Sequence, residues 1–495
     1  DLKSLSTCSL HFNRLSHSVN DWRFLRQVEA FFKKNALFAD KKLCKDAATL
    51  AFKEAEKQCS DTNLRLRALM RHSDQMEAGM HEKVLAMQRY ISTVLGPFDD
   101  FLEALPTLVK VTPGATAQTK RRASLPQLKL RLQLYSTSAA KVYITSLYNF
   151  FGFEGMFVLK TTHTNRIELV PKNWKTDRTI ACEPEGNLPL QLAFDTYAKR
   201  KLRRFRIDLS DQSANQKKAC HASVYNDYVT VDFQAASDTI AQTVVEWLFP
   251  PEWYGYLLNV RSPCYRGVMG QGEYQKFSSM GNGSTFCIET LLFAAVCHAV
   301  GSRSFLVYGD DVIVEKKYFE DFLALARFLG FTVNVDKTFA DGPFRESCGG
   351  DYFNGIDVTP VFIRSIDKRK AVLCHLVNSL GSLTFPGSLL EAKLLQIAVE
   401  HRLPLAPWTE STMSGVWIRP RMARNLGLLR TRILREDGPR LDYFRSYVAE
   451  TYRRKFPVRG YYLWFLYKNA QAFFAGPWEE SAQSVRPSRT SSAPV

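Results

Sequence analysis

Three acidic residues carry the chemistry to which this chain is most suited. Asp310 and Asp311 are adjacent in Tyr308-Gly309-Asp310-Asp311, and Asp232 lies well upstream in Val231-Asp232-Phe233. The paired aspartates sit between two apolar runs, Phe305-Leu306-Val307 and Val312-Ile313-Val314. Both runs read as short strands, and Gly-Asp suits a two-residue hairpin turn. Two carboxylates at a hairpin tip repel each other unless a cation lies between them. A hard divalent ion, above all Mg²⁺ with substrate phosphates, is the matching partner, which points to two-metal phosphoryl transfer. Taken alone, Gly-Asp-Asp is equally an ordinary solvated turn, because both residue types favour turn geometry.

The elements that must position these groups are legible nearby. Asp232 closes the apolar-rich run Tyr228-Val229-Thr230-Val231, which reads as a strand, so it falls where carboxylates from neighbouring strands converge. Its alternative role is a cap for a helix beginning near Ala235. Asp238 follows, either facing the same cleft or standing as a solvated helix residue. Residues 278–285 form a Gly/Ser/Asn-rich loop containing Ser279, Gly281 and Asn282, which runs into the nearly continuous apolar stretch 286–300. That stretch has the length of a buried helix and is too short to span a bilayer. Such a loop either lays backbone close to a nucleotide or simply supplies a Ser or Thr helix cap. Residues 318–329 read as a helix with Phe319, Phe322, Leu323 and Ala326 on one face, ending at Gly330. Residues 331–335 read as a strand that delivers Lys337.

A longer ordered series carries a resemblance. Pro113-Gly114-Ala115-Thr116 is followed by Val170-Pro171-Lys172 with Lys175-Thr176-Asp177-Arg178, then by Ile207-Asp208-Leu209 and Asp211-Gln212. Next come Val231-Asp232 with Ala235-Ala236-Ser237-Asp238, Leu248-Phe249-Pro250-Pro251, and Ser278 through Gly283. The Asp310-Asp311 motif, Lys337-Thr338-Phe339, Gly342 through Gly349 and Asp357-Val358-Thr359-Pro360 complete it. With these motifs, spread in unbroken order over roughly residues 110–365, the chain resembles the replicase subunit of leviviruses, the single-stranded RNA bacteriophages. Departures include Ser284 where that family tends to an aromatic residue, Cys287 where it tends to Glu, and Phe233-Gln234 in the first Asp motif, although Glu289 keeps a second acidic position.

The resemblance implies an α+β right-hand polymerase fold of fingers, palm and thumb, with an antiparallel palm sheet and helices packed on one face. It implies an N-terminal helical region over residues 1–110, fingers over 111–225 and a palm over 226–365 with a fingers excursion near 252–277. A mostly helical thumb over 366–475 and a disordered tail over 476–495 follow. The implied activity is RNA-dependent RNA polymerisation: copying single-stranded phage RNA from ribonucleoside triphosphates in the cytoplasm of an infected bacterium, with primer-independent initiation. Asp232, Asp310 and Asp311 match the metal ligands for two Mg²⁺ ions, with Mn²⁺ as a substitute. Asp238 and Asn282 match the pair that senses the ribose 2′-OH. Lys172, Lys175 and Arg178 match the strip that contacts the triphosphate, Ser279 and Gly281 belong to the nucleotide-side loop, and Lys337 matches a candidate proton donor to pyrophosphate. Host elongation factors Tu and Ts and a small-subunit ribosomal protein are the implied partners, beside template and product RNA, with no membrane involved.

Composition agrees with a polyanionic partner. Lys plus Arg exceed Asp plus Glu by 66 − 49 = 17. Local basic clusters occur at Lys120-Arg121-Arg122, Lys199-Arg200-Lys201 and Lys217-Lys218, and C-terminal arginines are interleaved with Tyr443, Phe444, Tyr447 and Tyr452. Ten cysteines include no Cys-x-x-Cys pair, which argues against a zinc site or a disulfide framework. The first residue is Asp, so the N-terminal boundary is open. Two other readings stand beside the polymerase: a reverse transcriptase, against which the Asp238 and Asn282 pair argues, and a non-catalytic RNA-binding protein, against which the three carboxylates argue.

Overall fold

The computed structural model describes residues 18–33, 39–120, 129, 133–362, 369–381, 389–407 and short stretches from 412 to 494, apart from 73, 75, 154 and 156. These fall into two compact units. Residues 18–26 and 40–359 belong to the first; residues 27–33, 39 and those from 360 onward belong to the second.

The described chain opens with four helices: α1 (Val19–Lys33), α2 (Lys41–Arg71), α3 (Ala78–Leu95) and α4 (Phe98–Leu108). Asp40 caps α2 by accepting from the amides of Lys42 and Leu43, two of the donors a helix start leaves open. Then follow β1 (Gln133–Ser136), α5 (Ala140–Phe150), β2 (Val158–Thr161), β3 (Thr164–Pro171), β4 (Asp177–Cys182), α6 (Asn187–Arg204) and α7 (Ser213–Tyr225). The middle of the chain forms β5 (Tyr228–Val231), α8 (Gln242–Leu248), α9 (Pro251–Val260), β6 (Cys264–Gly267), β7 (Gly270–Glu273) and α10 (Thr285–Ala299). After it come β8 (Leu306–Tyr308), β9 (Asp311–Glu315), α11 (Phe319–Phe328), β10 (Phe344–Ser347), β11 (Gly350–Phe353) and β12 (Ile356–Asp357).

The sheet that matters most is antiparallel, in the order β5-β9-β8. Its strands are apolar at consecutive positions, and side chains alternate between faces, so both faces must be covered. Val312 and Val314 join the main core with Val229, Val231 and the residues of α10, whereas Ile313 packs with Ala219 and Ala222 of α7 and with Tyr228. Helices therefore cover both faces, which corrects the expectation of helices on one face only. Residues 331–335 also differ from expectation. They make a single bridge, Phe233 to Val333, and the chain turns through one 3₁₀ turn at Val335–Lys337. The Asn334 amide donates to Asp232 O at 2.9 Å and the Gln234 amide to Thr332 O at 2.8 Å, the two bonds of that bridge, and the Asn334 side chain holds the Asp232 carboxylate.

The core around α10 is rich in aromatic contacts. Phe233 stacks on Phe293 at 4.3 Å between ring centroids. Trp253 meets Phe98, Phe101, Phe194 and Tyr197, is 1% exposed, and donates its Nε1–H to Gly96 O at 3.1 Å. Trp253→Ala leaves a cavity and orphans that carbonyl, with an expected loss of about 3–5 kcal/mol measured as a fall in the denaturant midpoint.

Two further sheets frame the central one. The sheet β4-β3-β6-β7 is mixed: β3 pairs parallel with β6, and the other pairs are antiparallel. The antiparallel sheet β10-β11-β12 receives Trp22 of α1, stacked on Phe344 at 4.4 Å. Arg345, fully buried, ties β10 to β5 by donating to the carbonyls of Tyr228, Gly342 and Phe344 and to Asn226 Oδ1. Among the described residues no helix is long and apolar enough to cross a membrane.

In the second unit α12 (Arg369–Gly381) and α13 (Leu389–Glu400) pack Cys374, Val377 and Leu394 with Leu403 and Val416. Asn378 donates to the carbonyls of Thr412 and Gly415 and accepts from Trp417 N, pinning the parallel pair β13 (Leu405–Pro407) and β14 (Val416–Ile418). β15 (Leu429–Ile433), β16 (Arg440–Ser446) and β17 (Ser491–Pro494) form an antiparallel sheet where sequence leads one to expect helix and a disordered tail. In Leu429–Ile433 the basic Arg430 and Arg432 alternate with Leu429, Thr431 and Ile433, the period of a strand; nothing in the Ser-rich tail segment explains its pairing. The C-terminal basic and aromatic residues, Arg121, Arg122 and most of the tail lie outside the residues whose side chains the structure describes.

Candidate active site

The hairpin β8–β9 turns at Gly309-Asp310, with Tyr308 paired to Asp311. Gly309 adopts φ +63°, and a Cβ there would run into the Phe286 ring, so both backbone conformation and space require glycine. Its amide donates to Thr290 Oγ1 at 3.2 Å, which anchors the turn to α10. β5 pairs with β9 with Val231 opposite Val312, and continuing that register one step sets Asp232 opposite Asp311. The two acidic motifs, about eighty residues apart in sequence, thus meet at one end of the central sheet.

The carboxylates feel one another. Burial raises the pKa of Asp232, Asp310 and Glu346 push it further, and Lys337 and Asn334 pull it back. Asn334 Nδ2 donates to Asp232 Oδ2 at 2.7 Å, and Lys337 Nζ lies 3.5 Å from the same oxygen. Burial pushes Asp311 up to about 6; the Cys348 amide, donating to its Oδ1 at 3.1 Å, opposes this, and Asp310, Asp232 and Glu346 add to it. Beneath the turn Glu289 is fully buried, and its pKa is driven well up by burial, then by Asp310, Asp238 and Asp311. Partial burial lowers the Lys337 pKa, but Asp232 and Glu346 outweigh it and raise the pKa overall.

The basic residues approach from the β3–β4 hairpin. Lys172 follows β3 directly and Arg178 pairs with Val170 on β4. Burial, then Arg178 and Lys337, lower the Lys172 pKa, while Asp232 and Asp310 oppose the shift, so Lys172 shares the field of both carboxylates. Lys175 sits in the turn, where Asn173 Oδ1 accepts from the amides of Lys175 and Thr176, and its ammonium lies 5.0 Å from the Trp174 ring centre.

The loop before α10 is held against β4. Ala181 N donates to Met280 O at 2.8 Å, and Gly281, at φ +107°, leaves no room for a Cβ beside Ala181 O. Ser279 O accepts from Asn282 N at 3.0 Å and from Thr285 Oγ1 at 3.0 Å. Asn282 Oδ1 accepts from Ser284 N and Oγ at 2.9 and 2.7 Å, and Gly283 N donates to Gln191 Oε1 at 3.0 Å. The Gly/Ser/Asn-rich loop is therefore well braced. Asp238 closes a 3₁₀ turn, Ala236–Asp238, and accepts from Lys276 Nζ at 2.8 Å; no hydrogen bond joins it to Asn282. Sequence reading missed Glu346, Asn334 and Lys276, three residues that contact or face the predicted set. Glu346 lies in the stretch Gly342 through Gly349, which was the available signal.

The donor set Asp232, Asp310, Asp311 is all oxygen, the type that suits Mg²⁺, and Asp310 adds to the burial that raises both Asp232 and Asp311. In the described residues no three acidic, His or Cys side chains close tightly enough to hold an ion; Asp232 bonds Asn334, with Lys337 at 3.5 Å, and Asp311 accepts from the Cys348 amide.

The family model for the RNA replicase beta-chain matches residues 4–402. The chain is 37% identical over 348 residues to the RNA-directed RNA polymerase subunit beta of Enterobacteria phage SP, covering 68% of this chain and 59% of that protein. It is 37% identical over 339 residues to the subunit of Escherichia virus Qbeta, covering 66% and 57%. To the beta chain of Escherichia phage MS2 the identity is 35% over 243 residues, covering 48% and 44%. The matches thus span under two thirds of these relatives' own length. Among solved structures, the RNA-dependent RNA polymerase of a human picorbirnavirus aligns with a TM-score of 0.34 at 12% identity, over 48% of this chain and 55% of that one.

Proposed function

Because the chain belongs to the RNA replicase beta-chain family, we propose that it is an RNA-dependent RNA polymerase that copies single-stranded phage RNA from ribonucleoside triphosphates. The observation that carries this reading is the meeting of Asp232 with Asp310 and Asp311 at one end of the β5-β9-β8 sheet, with Lys172 in the same field. In this reading the palm is built on that sheet, and the fingers include β3, β4 and the excursion β6–β7, which share one sheet. The second unit supplies the thumb.

Asp232, Asp310 and Asp311 would hold divalent cations, Mg²⁺ or Mn²⁺. When bound, such ions lower the pKa of the RNA 3′-OH and neutralise charge on the triphosphate. The chain's own residues do the rest. Lys172, Lys175 and Arg178 bind the triphosphate, and their spacing on one hairpin fixes its direction relative to the carboxylates. Asp238 and Asn282 hydrogen-bond the ribose 2′-OH, and a site built for a hydroxyl rejects a substrate lacking it. Ser279 and Gly281 set the backbone of the loop that carries Asn282. Lys337, 3.5 Å from Asp232 Oδ2, gives a proton to the departing pyrophosphate.

Purified chain, a single-stranded RNA template, Mg²⁺ and labelled ribonucleotides test the reading: template-length product is expected, and RNA binding without incorporation would favour the non-catalytic alternative. Primer-independent initiation and recruitment of elongation factors Tu and Ts and a ribosomal protein extend the proposal; adding bacterial elongation factors to the same assay tests them. In that assay Lys172→Ala raises the KM for ribonucleotides about tenfold, the worth of a charged hydrogen bond to phosphate, with a smaller change in kcat.

A further inference from the structure

Lys276 has no place in the chemistry above, yet its side chain is fully buried, an unusual state for a lysine. Two carboxylates meet it: Asp238 Oδ1 at 2.8 Å and Glu56 Oε1 at 3.5 Å. The ring of Phe52 lies 4.4 Å from its ammonium. Glu56 and Phe52 come from α2, and Glu56 also accepts from Gln275 N at 2.6 Å. The backbone on either side is fixed. Ala241 and Lys276 form a bridge, Phe277 N donates to Ile240 O at 2.7 Å, and Arg261 donates to Lys276 O at 3.1 Å. This clamps the segment leading into the Ser279–Asn282 loop onto the segment leaving Asp238.

Asp238 is the most exposed member of the cluster: its side chain is 20% exposed, against 13% for Glu56 and 0% for Lys276. One carboxylate oxygen is taken by Lys276. The other has no hydrogen-bond partner among the described residues. A carboxylate held in this way presents one acceptor in one direction, and as an anion it accepts only. Burying a lysine is costly unless it is paired, so Lys276 ties Asp238 to Glu56, and Asp238 keeps its second oxygen available.

We propose that Lys276, braced by Glu56, is a positioning residue for sugar selection: it fixes Asp238 as an oriented, ionised acceptor for the ribose 2′-OH. This rests on the polymerase reading above and deepens it. Asp238 touches the sugar; Lys276 acts through Asp238. The helix α2 thereby takes part in substrate selection through Glu56 and Phe52.

The test is the ratio of kcat/KM for a ribonucleotide to that for the matching deoxynucleotide, measured with the full chain on an RNA template. Ribonucleotide incorporation by the wild type reports on the polymerase reading; the ratio reports on Lys276. Lys276→Met is expected to lower the ratio about tenfold to a hundredfold, mainly through the ribonucleotide KM, because only the ribonucleotide loses a bond. Lys276→Met/Glu56→Gln removes the Glu56 charge that the single variant leaves unpaired and is expected to show the same fall, which covers the case in which the single variant does not fold. In an Asp238→Ala background, Lys276→Met is expected to change the ratio no further. A general structural role would lower both efficiencies together. A folded variant with the wild-type ratio, or a fall in the ratio that persists in the Asp238→Ala background, would overturn the inference.

Discussion

Asp310→Asn is expected to reduce template-directed ribonucleotide incorporation by roughly a thousandfold while leaving the protein folded. Asp310 occupies the second position of the β8–β9 turn, and Asn suits that geometry as well as Asp does. The substitution therefore changes charge and little else. Asp232 and Asp311 each carry a pKa raised in part by Asp310, so removing that charge relieves repulsion in the metal-free protein. Melting temperature without divalent ion should stay level or rise slightly. Mg²⁺ should raise the wild-type melting temperature, because a ligand that binds only the native state stabilises it, and Asp310→Asn should lose most of that rise. Melts with Mg²⁺ and with chelator, beside incorporation assays, check both halves. Incorporation at wild-type rates by the variant would remove Asp310 from the catalytic set, and with it the central support for the polymerase reading.

How much of this was legible in the sequence depends on whether the signal is local. The hairpin at Gly309-Asp310, the buried helix α10 and the helix ending at Gly330 are written in short-range patterns: an apolar run, a turn pair, a glycine stop. Asp232 at the end of β5 follows in the same way. What the sequence hid is long-range. Lys276 looks like an ordinary lysine between Gln275 and Phe277, and only the fold brings Glu56 from α2 to meet it. The segment 331–335 has strand-like composition, but Asn334 is claimed by Asp232, and a tertiary hydrogen bond overrides a weak local preference. Likewise the coverage of the central sheet on both faces was implicit in Val312-Ile313-Val314, three apolar residues in a row, but which helix covers Ile313 depends on where α7 packs.

Gly281→Ala should have the second largest effect, for a different physical reason. Gly281 adopts φ +107°, a conformation that costs an L-residue on the order of 1–3 kcal/mol. A Cβ there would also collide with Ala181 O and stand 3.0 Å from Ile180 Cγ2. Ala181 belongs to β4, the strand that carries Arg178, so the neighbour cannot move without shifting the triphosphate-binding hairpin. The loop must move instead, giving up the bond from Ala181 N to Met280 O and displacing Asn282, which follows directly. The expected result is a fall in ribonucleotide kcat/KM of about a hundredfold, shared between kcat and KM, with a modest loss of stability, because α10 and the core beneath the loop are untouched. The contrast with Asp310→Asn is diagnostic. A charge lost at the hairpin removes catalysis and spares stability, whereas a methyl group added at the loop lowers both. Steady-state kinetics and thermal melts on the two variants side by side separate a failure of metal binding from a failure of nucleotide positioning. Wild-type kinetics in Gly281→Ala would mean that the Ser279–Asn282 loop lies off the substrate path.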